Sequence, residues 1–213
     1  MKIKCIEMER EIIGRDHIPV HQSGGETDAI ERVACESYIQ AIELYQIGKS
    51  RLADVNRWGE MSNIPLSSFK LFDSSGRSCD RTVAEGDYIR IDIPGPGTSI
   101  GKGYDWVHVE AVFSEVDFDE DIFTLRVRPS SHPLDPEGKT AHFLTSKATS
   151  TFQIKRVKNV VYAEEHARNE SPNMETGNGL DNFRNALVGT AAKIGLSYPQ
   201  WKSLVKGLLK AEV

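Results

Sequence analysis

The chain reads as an α+β protein, a small antiparallel β-barrel with an amphipathic helix before it and a helical hairpin after it. Three observations predict this class. Apolar residues recur at helical spacing in 27–47, at least five short strand-like stretches separated by turn residues fill 69–163, and helical spacing returns beyond 183. The chain then divides into an N-terminal arm (1–25), a helical segment (26–64), a barrel (65–163), an acidic linker (164–182) and an αα-hairpin (183–213).

In 27–47, Ile30, Val33, Ala34, Tyr38, Ala41, Ile42 and Tyr45 fall on one helical face and Glu31, Arg32, Glu36, Gln40 and Glu43 on the other. Thr27 is the expected N-cap and Gly48 the expected stop. A shorter helical stretch at 50–61 carries Leu52, Val55 and Trp58 and is broken by Ile64-Pro65.

The period then changes to two. Strands are expected at 69–73, 88–93, 106–116, 122–128, 152–157 and 160–163, with Ile89, Ile91 and Ile93 alternating against Tyr88, Arg90 and Asp92. Short strands at this spacing suit a small closed barrel, and the Gly86-Asp-Tyr-Ile-Arg-Ile91 start resembles the strand entries of SH3-like barrels. Residues 164–182 hold five acids against Arg168 alone, with Pro172, Gly177 and Gly179 and little that is apolar, which reads as a linker. The hairpin follows, with Phe183, Leu187, Ala191 and Ile194 in its first helix, a stop at Gly195, and Trp201, Leu204, Val205, Leu208 and Leu209 in its second.

Composition bounds the function. The 213 residues carry 26 basic and 31 acidic side chains, a charge of −5, with 39% hydrophobic and 27% charged residues, as in a globular chain. No apolar run approaches the ~20 residues that cross a bilayer, so no membrane is expected. Net acidity argues against a general nucleic-acid binder. Glu7, Glu9, Arg10 and Glu11 interrupt any secretory apolar core, and Cys5, Cys35 and Cys79 are odd in number and far apart. A reduced, cytoplasmic protein without disulfides is the expectation.

Several motifs invite chemistry. The glycine-rich 93–104 stretch is not a phosphate loop, because Gly97 and Gly101 stand too close, Gly103 replaces the Ser/Thr, and a strand follows instead of a helix. What remains is a long hairpin loop with Lys102 at its tip, either an amide nest for an anion or a close crossing of backbone. Beyond it, strand alternation places Trp106, His108 and Glu110 on one face and Val107, Val109 and Ala111 on the other. Lys102, Tyr104, Asp105, Trp106, His108 and Glu110 are therefore the candidate ligand-binding residues, on a surface patch. No metal or cofactor is expected. Pro19 spoils the His17/His21 spacing, and the Asp117/Asp119/Asp121 turn lacks the glycine and glutamate of a calcium loop.

The preferred reading is a non-catalytic binding module for a protein or small molecule, acting through the glycine loop and its strand. One alternative is DNA binding. Ala191, Gly195, Trp201 and Leu204 are spaced as in a helix-turn-helix, with Gln200 and the lysines Lys202, Lys206 and Lys210 on the second helix. Another is an enzyme using His108 and Glu110 as an acid–base pair with Tyr104 or Asp105. The stripe of Trp201, Leu204 and Leu208, with Lys202 and Lys206 beside it, also suits docking onto the chain itself or a homo-oligomer.

Overall fold

In the computed structural model, which describes residues 13–62, 67–93, 97–135, 138–177, 179–193 and 198–210, the first expected helix divides in two. Its front half is strand β1 (Gly25–Ala34), and helix α1 (Tyr38–Ala53) follows. Along β1 the odd-numbered residues are the more buried, Ala29 most of all, and the even-numbered ones the more exposed, a period of two. Ser37 is the N-cap in place of Thr27, its hydroxyl accepting from the Gln40 amide at 3.2 Å. Gly48 stops nothing. It lies buried inside α1, where a Cβ would sit 3.2 Å from Ile154 and 3.3 Å from Leu209, so its bareness lets the helix press onto the sheet and the C-terminal segment.

A single 3₁₀ turn (Val55–Arg57) and the one-turn α2 (Trp58–Met61) complete the helical segment. Then come β2 (Ser68–Phe72), β3 (Tyr88–Asp92), β4 (Asp105–Val116), β5 (Glu120–Pro129), β6 (Thr149–Val157) and β7 (Val160–Glu170), followed by α3 (Gly179–Lys193) and α4 (Tyr198–Leu208). Among the described residues the seven strands form one antiparallel sheet in the order β1-β7-β6-β5-β4-β3-β2. It is open, with β1 and β2 at its edges, and not a closed SH3-like barrel. A small barrel fills its interior with its own strand side chains; here helices occupy that interior and the edges stay apart. A register shift at Val109–Ala111 bends β4.

The concave face carries the core. Leu71, Ile89, Val107, Val109, Leu125, Phe152, Ile154 and Val161 pack under Tyr45 and Leu52 of α1 and under Leu204, Val205, Leu208 and Leu209. The C-terminal apolar stripe is therefore buried by its own chain, while Lys202 and Lys206 face outward. Arg51 of α1 donates to the carbonyls of Leu208 (3.2 Å) and Lys210 (2.5 Å) and so caps α4 with a cation at its negative end.

One further expectation changes. The acidic linker is mostly structure, since residues 164–170 belong to β7 and Asn173, Thr176 and Asp181 are buried beyond it. The acidic 117–121 turn is anchored at its end. Asp121 is buried and paired with Arg156, which also bonds the Lys158 carbonyl at 3.1 Å and lies 4.7 Å from the Tyr38 ring. Cys5 and its charged neighbours, Ile64-Pro65, the start of the glycine loop at 94–96, and Ile194-Gly195 lie outside the described residues.

Candidate functional site

Helices cover the concave sheet unevenly. Helix α1 lies over β5, β6 and β7, and α4 lies over β1 and β7. The other end of the trough is bridged by α2, α3 and α4, and beneath them a cavity of about 480 Å³ remains. Ile89 and Ile91 of β3, Val107 of β4 and Val127 of β5 form its floor. This is the isoleucine and valine face that strand alternation points inward. One corner is aromatic. The Trp58 ring stands 5.4 Å from Phe69 and 4.9 Å from Phe152, and Trp201 stands 5.4 Å from Phe152. The Trp58 indole N–H is fixed on the Leu52 carbonyl at 3.1 Å.

A few polar groups reach this apolar wall. His142 is buried against it, and its Nδ1 accepts from the Leu144 amide at 3.0 Å, which leaves the proton of the neutral ring on Nε2. Burial first, and the Arg184 cation second, push its pKa down to about 4 against the pull of Asp105. Gln200 lines the cavity from α4 and takes the Ser67 hydroxyl at 3.3 Å. Glu170, at the end of β7, is 5% exposed and lines it as well.

Glu165 stands on the same concave face, between Ala29 of β1 and Phe152 of β6 in the register, and is fully buried. Neither of its carboxyl oxygens has a hydrogen-bond partner, and Oε2 of Glu170 has none. Burial, reinforced by the neighbouring Glu170, pushes the Glu165 pKa up to about 8. The Ser150 hydroxyl tempers that rise without reaching hydrogen-bonding geometry.

The residues singled out from the sequence do not come together. Trp106 is 3% exposed, with its indole N–H on the Gly101 carbonyl at 3.1 Å and its ring between Phe72 and His132. Its alternate neighbours His108 and Glu110 share the convex face, where His108 packs on Tyr88 and Glu110 pairs with Arg126 and Arg128. Tyr104 lies under the Arg90 guanidinium at 4.1 Å. Asp105 is fully buried in an ion pair with Arg184. None of these residues lines the cavity, and the His108 and Glu110 side chains are engaged with Tyr88 and with Arg126 and Arg128.

Lys102 is exposed at the loop tip with a left-handed backbone (φ 54°). Among its described residues five amides are spent within the protein rather than left for an anion, Gly103 on Thr98, Tyr104 on Gly101, Lys102 on Ser99, Gly101 on the Thr98 hydroxyl, and Ser99 on the Asp181 carboxylate. Gly97 and Gly101 have no room for a Cβ against the Gly103 and Tyr104 carbonyls, so these two serve close backbone approach.

That loop is one part of a latch holding α3. Besides Asp181 on Ser99, the Arg184 guanidinium donates to Asp105 Oδ1 at 3.1 Å, and Asn185 donates to the Asn173 carbonyl at 2.9 Å. In the helix-turn-helix reading Gln200 is a base-reading side chain; in the fold it is buried toward the cavity. Local spacing does not mark Glu165, Glu170, His142 and the aromatic corner as one region. The signal available for the acids was that Val160-Val-Tyr-Ala-Glu-Glu-His-Ala167 keeps strand alternation through the charges.

No family model matches this sequence, and no curated protein matches it. Among solved structures, a hypothetical protein of Helicobacter pylori is similar at 9% identity over 90% of this chain and 95% of its own, with a TM-score of 0.43. A protein from Arthrobacter aurescens is similar at 10% identity over 89% and 91%, with a TM-score of 0.41. Norcoclaurine synthase from Thalictrum flavum is similar at 9% identity over 92% and 98%, also with a TM-score of 0.41.

Proposed function

We propose that the protein is a non-catalytic binding module that takes a small apolar molecule with an aromatic ring into the cavity beneath α3 and α4. The observation that carries this reading is the cavity itself. Its volume of about 480 Å³ falls within the ~300–1,000 Å³ of small-molecule sites, which pair apolar walls with a few polar groups. Trp58, Phe69, Phe152 and Trp201 supply ring faces and edges for stacking. The binding surface thus moves from the convex glycine loop to the opposite face of the same strands. A cytoplasmic setting goes with this reading, because Cys35 and Cys79 are both free thiols.

The test is calorimetric titration with tryptophol, a neutral indole alcohol. Ile91 is a cavity wall residue on β3, and Ile91→Trp fills the space. Saturable binding to the wild type, weakened about ten-fold or more in a folded Ile91→Trp protein, supports the reading. Equal binding by both proteins places the ligand elsewhere and ends it.

A further inference from the structure

The two carboxyl groups at the β7 end of the trough stand without the partners a buried carboxyl ordinarily has. Glu165 and Glu170 are buried, three of their four oxygens included, without a hydrogen-bond partner. A buried carboxyl ordinarily sits with a cation or with donors, since an unsatisfied one opposes folding. The cations close by in sequence are committed on the other face of the sheet. Lys155 pairs with Glu164 at 2.9 Å, His166 lies between Asp28 and Glu164, and Arg168 pairs with Asp28 at 2.7 Å. Alternation along β7 separates the two sets, with Val161, Ala163 and Glu165 turned to the concave face and Val160, Tyr162 and Glu164 to the convex one. The concave carboxyls therefore lack a positive charge that the rest of this strand has.

Of the two, Glu170 lines the cavity, and Glu165 is sealed among small neighbours. Ala163 and Ala167 flank Glu165 on its own strand, and Ala29 faces it from β1. Ser150 and Thr149 of β6 line the cavity with Glu170, and the aromatic corner stands on the wall it shares with them.

We propose that the cavity binds an organic ammonium with an aromatic body, its charged nitrogen held by the Glu170 carboxyl at the cavity wall, next to buried Glu165, and its ring seated against Trp58, Phe152 and Trp201. This rests on the cavity reading and names the ligand class for the same site. An ammonium supplies a donor to the unpartnered Glu170 oxygen and a positive charge that this end of the trough lacks, and the indole faces add attraction for the cation. A carboxylate or phosphate ligand meets like charge here and is disfavoured.

Tryptamine and tryptophol differ only in an ammonium against a hydroxyl, so the pair isolates the charge. Calorimetry at neutral pH on the full chain is expected to show tryptamine binding the wild type about ten-fold or more tightly than tryptophol. Glu170→Gln, at the cavity wall, is expected to bring the two affinities within about two-fold of each other. Tryptamine binding no tighter than tryptophol to the wild type overturns the ammonium assignment and leaves the cavity reading standing. So does an undiminished preference in folded Glu170→Gln. Binding of neither compound overturns both. The wild-type comparison needs no variant, so a Glu170→Gln protein that fails to fold leaves the test decisive.

Discussion

Glu164, Glu165 and Glu170 stand on one strand and end in opposite electrostatic states, because neighbouring residues of β7 face opposite sides of the sheet. Burial raises the Glu164 pKa, but hydrogen bonds from His166 and Lys155 outweigh it and hold the group down to about 2. Glu165 has no such partner, and its pKa goes up to about 8. The consequences for stability have opposite signs. Glu164 stabilises the fold above its ordinary value of 4.5, and that contribution is lost as pH falls toward 2. Glu165 keeps its proton in the folded state where the unfolded chain has released it, so stability is lost as pH rises from 4.5 to 8. Urea unfolding of Glu165→Gln against the wild type at pH 5 and pH 8 isolates this slope. The variant is expected to gain relative stability toward pH 8, by at most about 1.4 kcal/mol per pH unit. A constant difference between the two proteins contradicts the assignment. In the sequence these acids look alike and suggest a linker; only the strand partners on each side tell them apart.

At the scale of elements, residues 27–47 satisfy two periods at once. Ile30, Val33 and Ala34 fit a helix, while Ala29, Glu31 and Val33 fit a strand. What decides is a partner distant in sequence, since β1 pairs along β7 from Gly25–Glu170 to Ala34–Val160. Local propensity yields to cross-strand bonding. Helix α1 then starts at Ser37, and Ser37→Ala is expected to cost about 1 kcal/mol in thermal or urea unfolding, with Thr27→Ala costing less than that cap. The latch on α3 is the second case. The buried Asp105–Arg184 pair joins the start of β4 to a helix that follows the whole sheet. Asp105→Ala leaves the Arg184 guanidinium buried without its carboxylate and is expected to cost roughly 3–5 kcal/mol. The same alanine at exposed Lys102 is expected to stay within about 0.5 kcal/mol. Equal effects of the two, measured by urea unfolding, remove the latch from the account.

For the whole molecule, the C-terminal helices are part of the core and not an appended device. Leu204, Val205, Leu208 and Leu209 lie in the same cluster as Phe152 and Ile154 of β6 and Tyr45 of α1. A chain ending at residue 177 exposes that face of the sheet and removes Trp201 and Gln200 from the cavity. It is expected to lose cooperative thermal unfolding, seen by near-UV circular dichroism, and to bind no tryptophol. A truncated chain that keeps a sharp transition shows the sheet to be self-sufficient.

The sequence by itself determined the α+β class, the positions of β2 to β6, the inward isoleucine and valine faces and the presence of a helical C-terminus. Each follows from periodicity or turn chemistry within a few residues. Tertiary structure alone decided that the sheet stays open, that β1 is a strand, that the acidic stretch continues β7, and that the C-terminal helices fold back over the trough. Those outcomes depend on pairing and packing between residues more than a hundred positions apart, such as Ala29 with Glu165 and Arg51 with Leu208. The cavity is of the same kind. It is the space left between a bent sheet and helices that cover only part of it, and no single segment of the chain encodes it.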